Sequence, residues 1–170
     1  MNELLLPKMY KKDIYDINYN LLKEKGIKFL LFDIDNTIAD SKMKLPTNET
    51  IILFNHLQKL GFELILFTNA LPLRANKFKN VLNIECIPMA CKPNKRNYIK
   101  LMNNKNIKAN EIACIGDQLY TDIKGANKCN LYSILVDKIS NNEHLITKIN
   151  RLKENKIYNK YLKRGEYYEK

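Results

Sequence analysis

The chain has 170 residues, of which 45% are hydrophobic and 28% are charged, and its formal net charge is +11. This balance excludes a collagen-like, low-complexity or wholly disordered chain and favours one compact domain. A membrane-spanning helix needs about 18 consecutive apolar residues, and no apolar run here is that long. The N-terminal residues also lack the pattern of a signal peptide. We therefore expect a cytoplasmic protein.

The first predicted element is an amphipathic helix over residues 11–25, with Gly26 as its stop. The next run, residues 27–32, is short and apolar and lies between Gly26 and Asp33. Such a run is typical of a central strand in a parallel sheet. The pattern thus begins with a helix that leads into a buried strand.

Helices and strands then alternate along the chain. The next helix has Thr47 or Asn48 as its cap and Gly61 as its stop, and its predicted apolar side includes Ile52 and Leu57. The alternation predicts a three-layer α/β fold, in which helices cover both faces of a doubly wound parallel sheet. The predicted helices lie at about residues 48–60, 73–82, 95–105 and 121–129, and the predicted strands at 62–67, 84–88, 111–115 and 131–136.

No linker divides the chain, so a single domain is predicted over residues 1–170. Its core spans about residues 27–136 and is preceded by a helical extension over residues 1–26. A last helix, from about Glu143, and a basic, tyrosine-rich tail make up residues 137–170. We expect this tail to be a solvated end of the chain and not a specific nucleic-acid reader.

The cysteines do not predict a metal site. They form no CxxC pair and have no histidine cluster beside them, as a zinc site would require. We therefore expect four buried, reduced thiols at Cys86, Cys91, Cys114 and Cys129.

Polar residues follow the predicted strands at the points where the apolar runs stop. Ligands of an open parallel α/β sheet bind beyond the carboxyl ends of its strands, so these side chains are expected to converge at one edge. In chain order they are Asp33, Asp35, Thr68, Asn69, Lys92, Asp117, Gln118 and Asp122.

Three of these acids predict a magnesium site. Asp33, Asp35 and Asp117 would repel one another, and a divalent cation with oxygen ligands such as Mg²⁺ relieves that repulsion. Asp33 is then the candidate nucleophile toward a phosphoryl group, and Asp35 is the candidate acid and base. Thr68 and Lys92 are the candidates for stabilising charge on the phosphate oxygens.

Some of these residues also have purely structural interpretations. Thr68 and Asn69 can cap the next helix, Lys92 can be a solvated loop lysine, and Asp122 can cap the helix that follows it. Their order along the chain favours function, with Asp122 as the support that holds Lys92. For Asn69 and Gln118 the two interpretations stay open.

The ordered set resembles the four motifs of the haloacid dehalogenase superfamily of phosphatases, over about residues 27–136. The matching segments are Asp33-Ile34-Asp35-Asn36-Thr37, Thr68-Asn69, Lys92-Pro93 and Gly116-Asp117-Gln118-Leu119-Tyr120-Thr121-Asp122. The resemblance implies the order 3-2-1-4-5 for the five predicted strands, which brings Asp33 next to Asp117. We assign phosphate binding to Asp33, Thr68, Asn69 and Lys92, and metal binding to Asp33, Asp35 and Asp117.

The resemblance narrows to the YqeG-type branch of subfamily IIIA, which is similar to mitochondrial phosphatidylglycerophosphatases of the yeast type. Three segments support this narrower match. They are the Leu-Pro pair near the start of the chain, the helix that stops at Gly26 and the Asp-Ile-Asp-Asn-Thr segment. Ile38, where the family commonly has Leu, and Ala70, where it commonly has Asn, depart from the pattern. Neither departure removes a catalytic group.

A cap domain is not expected, because only about a dozen residues separate Asp35 from the helix at residue 48, and fewer separate Pro88 from Lys95. The cleft is therefore predicted to be open to a phosphate on a macromolecule, a membrane surface or a partner subunit. The segment from Leu4 to Lys12 has two interpretations. It either contacts an anionic membrane or packs along an edge of the sheet.

The sequence and the resemblance together predict a Mg²⁺-dependent phosphomonoester hydrolase that works through an aspartyl-phosphate. The leading substrate is phosphatidylglycerophosphate or another exposed phosphate, such as a lipid headgroup met at the inner face of the membrane. The alternatives are a non-catalytic RNA- or ribosome-associated binding module and a phosphatase of soluble sugar phosphates or polynucleotide 3′-phosphates. The basic charge keeps nucleic acid open as a partner, and the intact catalytic set makes it the less favoured one.

Overall fold

A single sheet of six parallel strands forms the centre of the protein in its computed structural model, which describes residues 3–141, 150, 152–155 and 157. The strands are β1 (Met9–Lys11), β2 (Phe29–Phe32), β3 (Glu63–Phe67), β4 (Glu85–Ile87), β5 (Ile112–Gly116) and β6 (Tyr132–Val136). Their spatial order is β1-β6-β5-β2-β3-β4. The five predicted strands are β2 to β6, and their predicted order of 3-2-1-4-5 is confirmed. Most of the predicted C-terminal helix and tail lies outside the described residues.

Helices pack on both faces of this sheet, because successive side chains of a strand point to opposite faces and here both sets are apolar. Leu30 and Phe32 of β2 lie in one apolar core with Phe54 and Phe78, whereas Leu31 between them lies in a second core on the opposite face. The three-layer architecture is thus confirmed, and no cap domain is inserted within residues 3–141. The helices are α1 (Tyr19–Glu24), α2 (Asn48–Lys59), α3 (Pro72–Leu82), α4 (Arg96–Lys105) and α5 (Lys124–Lys128).

The first helix is shorter than predicted, and a strand that the sequence did not indicate precedes it. The predicted helix over residues 11–25 begins only at Tyr19, where the Asn18 side chain caps it by accepting the Leu21 N–H. Before it, the Asp13 carboxylate accepts two backbone N–H groups in a turn. Ile14 and Ile17 lie in this irregular segment and their side chains are buried, so their helical spacing did not indicate a helix.

The N-terminal segment packs along the sheet, which is the second of its two predicted interpretations. Strand β1 pairs with β6, with Met9 opposite Ile134, and covers what would be an open edge. Leu5, Met9 and Tyr10 are buried. These three apolar side chains, which were candidates for membrane contact, are therefore part of the protein core. Among the described residues, no helix has the length and hydropathy needed to cross a bilayer.

Three smaller predictions need correction. Ile52 is 68% exposed, because the buried side of α2 is formed by Thr50, Phe54 and Leu57. Cys91 is exposed and Cys86 is half-buried, although all four cysteines are free thiols as predicted. The helix predicted over residues 121–129 is a wide π-helical turn at Leu119–Ile123 followed by the short α5.

Candidate active site

The carboxyl ends of β2, β3 and β5 bring the predicted site residues to one edge of the sheet. Phe32, the last residue of β2, is in register with Leu66 of β3 and Ile115 of β5. The residues just beyond these strands are therefore neighbours, and the Asp33 N–H donates to the Ile115 carbonyl at 3.0 Å. Oxygen atoms of three buried acids, Asp33, Asp117 and Asp122, all lie within 4.8 Å of one another.

A buried lysine connects two of these acids. The Lys92 Nζ donates to Asp33 Oδ1 at 2.6 Å and to Asp122 Oδ1 at 2.5 Å. The Lys92 side chain is only 2% exposed, so these ion pairs are shielded from water. Asp122 thus holds Lys92 against Asp33, which is the contact expected for it from the sequence.

Asp122 is fixed by its own loop and can approach only because residue 116 is a glycine. Its Oδ2 accepts the Gln118 backbone N–H at 3.1 Å and the Thr121 hydroxyl at 3.3 Å. A Cβ atom at Gly116 would lie 2.2 Å from the Asp122 Cγ, which no real contact allows. The glycine in this motif is therefore a packing requirement of the acid cluster, and the backbone of Gln118 supports the same cluster.

Asn69 has a structural task that the sequence left open. Its side-chain oxygen accepts the Lys92 N–H at 2.8 Å, and its side-chain nitrogen donates to the Lys92 carbonyl at 3.1 Å. This pair of bonds fixes the backbone from which the lysine extends. Beside it, the buried Thr68 hydroxyl accepts the Ala70 N–H at 3.1 Å.

Asp35 lies apart from the acid cluster because a residue not singled out from the sequence engages it. The Arg74 Nε donates to Asp35 Oδ1 at 2.7 Å. Arg74 is in the first turn of α3, where a positive charge is unfavourable to the helix dipole unless it has a partner. That misplaced charge was the available sequence signal. The metal-binding role expected for Asp35 stays a prediction.

Burial and neighbouring charges set the protonation of the central pair. Burial raises the pKa of Asp33 from 3.8 to about 6, although Lys92 opposes this shift and Asp122 adds to it. Burial alone would lower the pKa of Lys92, but Asp122 and Asp33 together raise it well above its ordinary value. At neutral pH, Lys92 is therefore charged and Asp33 is ionised.

These residues border a cleft of about 480 Å³. Lys92, which lines the cleft, donates to Asp122, and Thr37, which lines a second cavity, donates to Asp117 at 3.2 Å. A larger cavity of about 770 Å³ is lined by residues 37–40 and Met43 of the loop after β2, together with residues 12–15 and 137–139. The predicted residues that line the cleft are Asp33, Asp35, Thr68, Asn69, Lys92 and Gln118, joined by Ala70, Leu71, Arg74, Thr121 and Asn150.

Comparison with known proteins agrees with this geometry. The family model of mitochondrial PGP phosphatase matches residues 1–139. The Bacillus subtilis (strain 168) protein named "Probable phosphatase YqeG" is 28% identical over 165 residues, which cover 97% of this chain and 96% of that protein.

Two solved structures illustrate the similarity of fold. A protein described as a HAD superfamily (subfamily III A) hydrolase from Legionella pneumophila has a TM-score of 0.56 and 20% identity, over 72% of each chain. The 3-deoxy-D-manno-octulosonate 8-phosphate phosphatase from Moraxella catarrhalis, in complex with magnesium ion, phosphate ion and KDO, has a TM-score of 0.53 and 14% identity. That match covers 80% of this chain and 91% of the other. The chain belongs to the mitochondrial PGP phosphatase family, is similar to the YqeG protein and shares the fold of a HAD superfamily (subfamily III A) hydrolase.

Proposed function

We propose that the chain is a Mg²⁺-dependent phosphomonoesterase that forms an aspartyl-phosphate on Asp33. The observation that carries the proposal is the buried cluster in which Lys92 pairs with Asp33 and Asp122 while Asp117 lies beside them. It combines a candidate nucleophile and a fixed positive charge, both lining one open cleft, with further buried acids beside them.

Mg²⁺ fits the chemistry of these acids. Three carboxylates lie within 4.8 Å of one another, Lys92 pairs with two of them, and carboxylate oxygens are the ligands that Mg²⁺ prefers. Asp33 and Asp117 are the acids proposed to hold it. The role proposed for the Asp35 side chain is that of acid and base, and the metal binding expected for it from the sequence stays a prediction. When bound, the cation supplies charge neutralisation between the acids and the phosphate oxygens.

In the proposed first step, an ionised Asp33 oxygen attacks phosphorus and the bond from phosphorus to the leaving oxygen breaks. Asp35 gives its proton to that oxygen, so an alcohol departs. In the second step, water attacks the phosphorus of the aspartyl-phosphate, Asp35 takes a proton from the water, and the bond to Asp33 breaks. Inorganic phosphate is released and both acids return to their starting states.

Lys92 and Thr68 are proposed to stabilise the phosphate. Lys92 is held by two carboxylates among the described residues, which leaves one of its three ammonium hydrogens for a phosphate oxygen. Thr68 lines the cleft, and its hydroxyl accepts the Ala70 N–H, so the hydroxyl hydrogen can be donated to a phosphate oxygen. Fixed donors of this kind act on charge that develops during phosphoryl transfer.

The pH dependence of the thermal stability of the protein tests whether the buried acids around Asp33 repel one another. Because the pKa of Asp33 is about 6 in the folded protein and 3.8 as an ordinary value, the folded state binds the extra proton between these values. The stabilisation from that proton is complete below the lower value and is lost as the pH rises through the higher one. We expect the Tm in chelator to fall between about pH 5 and pH 7.5, by roughly 2–4 °C for each kcal/mol lost, and Mg²⁺ to oppose the fall.

Two variants separate this effect from general acid sensitivity. Asp33→Asn cannot ionise, so its Tm in chelator should be nearly flat over the same range. Asp16→Asn removes an exposed acid and should follow the wild type. An equal fall of the Tm in Asp33→Asn and the wild type would contradict the assignment of the effect to Asp33.

The proposed substrate is the phosphate of a lipid headgroup, with phosphatidylglycerophosphate as the leading candidate. The family description supports it, since the matching model is that of a mitochondrial PGP phosphatase. The open cleft can admit a phosphate carried on a large body, and the net charge of +11 favours an anionic surface. We propose a cytoplasmic protein that binds peripherally at the inner face of the membrane, with the exposed Lys8 and Lys12 as basic contacts.

The test is phosphate release from phosphatidylglycerophosphate in anionic vesicles, beside soluble sugar phosphates, nucleotides and 3′-phosphorylated oligonucleotides. We expect Mg²⁺-dependent turnover with a kcat/KM for the lipid at least about tenfold above that of any soluble compound. If a soluble compound is preferred, the lipid assignment fails and the phosphatase chemistry stands. Tight, salt-dependent RNA binding without turnover of any phosphoester would instead support the binding module.

A further inference from the structure

Arg74 connects the catalytic cleft to the loop that separates it from the larger cavity. Its Nε and Nη2 both lie 2.7 Å from Asp35 Oδ1. The same guanidinium donates to the Met43 carbonyl at 2.5 Å and to the Asp40 carbonyl at 3.1 Å. Its Cζ lies 5.1 Å from the ring centroid of Phe78, one turn further along α3. One side chain thus fixes both ends of the loop from residue 35 to residue 43.

The contacts to Asp35 all involve one of its two oxygens. Within residues 3–141, no hydrogen bond is made to Asp35 Oδ2, while Oδ1 accepts from Arg74. The Asp35 side chain is 28% exposed and Asp35 lines the cleft, so the side chain can meet a phosphoester bound there. This division leaves one oxygen to be held and the other to carry a proton.

We propose that Arg74 is the positioning residue for Asp35, and that proton transfer to the leaving group takes place from Asp35 Oδ2. The inference rests on the proposed phosphatase mechanism. As the bond from phosphorus to the leaving oxygen breaks, the proton moves from Oδ2 to that oxygen, and the charge of Arg74 stabilises the carboxylate that forms. The planar guanidinium suits this task because its N–H donors are held in a rigid fork, whereas a lysine ammonium is a compact charge on a flexible stem.

The dependence of rate on the leaving group distinguishes this role from general support of the fold. An alkyl phosphate releases a poor leaving group that needs the proton, whereas p-nitrophenyl phosphate releases a good one that hardly needs it. The kcat/KM reports the first step, in which the leaving group departs. We expect Arg74→Met to lower kcat/KM by about 100-fold for glycerol phosphate and by only about threefold for p-nitrophenyl phosphate.

Three further variants complete the experiment. Asp35→Asn should show the same contrast between the two substrates, and the double variant Asp35→Asn, Arg74→Met should be no slower on glycerol phosphate than Asp35→Asn alone. Arg74→Lys should recover part of the kcat/KM lost on glycerol phosphate. It can replace Arg74→Met in the comparison if that variant folds poorly. Arg96→Met removes an exposed arginine from the first turn of α4 and should leave both rates unchanged.

The outcomes separate this inference from the function on which it rests. If the wild type hydrolyses both substrates and Arg74→Met slows both equally, the positioning role is wrong and the phosphatase proposal stands. Additive losses in the double variant would likewise overturn it, because Arg74 would then act independently of Asp35. If the wild type hydrolyses neither of these substrates nor phosphatidylglycerophosphate in anionic vesicles under any divalent metal condition, the proposed function fails and the role of Arg74 fails with it.

Discussion

Replacing Asp33 with Asn should lower phosphate release by about a thousandfold or more, since loss of a covalent nucleophile removes the whole two-step route. Asn keeps the size of the side chain and can still accept a hydrogen bond from Lys92, so the fold should survive. What it loses is the negative oxygen that attacks phosphorus. The measurement is Mg²⁺-dependent release from p-nitrophenyl phosphate, with the folded state of the variant checked by its Tm.

A covalent intermediate gives a second readout for the same variant. Acid-quenched wild-type protein should carry a phosphoryl group on residue 33 that hydroxylamine removes, because an acyl phosphate is susceptible to that nucleophile. The Asp33→Asn protein should carry none, and the exposed-acid control Asp16→Asn should behave as the wild type. Activity of Asp33→Asn within about tenfold of the wild type would exclude the aspartyl-phosphate route.

The sequence predicted the sheet order well because buried parallel strands and their polar ends are local patterns. Residues 29–32 and 112–116 are apolar on both faces, and each is followed directly by an acid, Asp33 or Asp117. Once the two strands are neighbours, the meeting of these acids follows from the register. The site was therefore predictable wherever its residues sit at strand ends.

The parts that the sequence missed depend on contacts between distant segments. Strand β1 has only three residues and gains its identity from pairing with β6, more than 120 positions later in the chain. Ile14 and Ile17 show the spacing of a helix because two residues of a turn can also be buried three positions apart. Arg74 acquires its role from Asp35 and from carbonyls of Asp40 and Met43, and the positive charge in the first turn of α3 signals that a partner exists without saying which.

Asn69 shows how a residue of an apparent motif can act through the backbone. Its side-chain amide bonds to both the N–H and the carbonyl of Lys92. It therefore orients the lysine through the backbone and carries no charge of its own. The motif residue and the lysine are 23 positions apart, which hides the pairing in the sequence. The ion pairs at the end of that lysine then hold the rest of the cluster together.

Lys92→Met should destabilise the protein by about 3–5 kcal/mol, because it removes the shared partner of two buried carboxylates. Asp33 and Asp122 are almost fully buried, and both lose their short bonds to Nζ. Met fills a similar volume, so the loss reports charge and not a cavity. Urea unfolding at about pH 7.5 in chelator measures it, and the loss should shrink toward pH 5 as Asp33 takes up a proton.

The matched control is Lys28→Met, which removes an ion pair of similar length at the surface. Lys28 lies 2.6 Å from Glu111, but its side chain is 66% exposed, so this change should cost at most about 1 kcal/mol. Lys92→Met should also lower kcat/KM by about a hundredfold or more, since a positive charge beside the phosphate is lost. Equal stability losses in the two variants would show that the buried lysine is not the group that holds the acids together. The charge cluster would then have to be balanced by other groups, and the assignment of Lys92 to phosphate stabilisation would lose its structural basis.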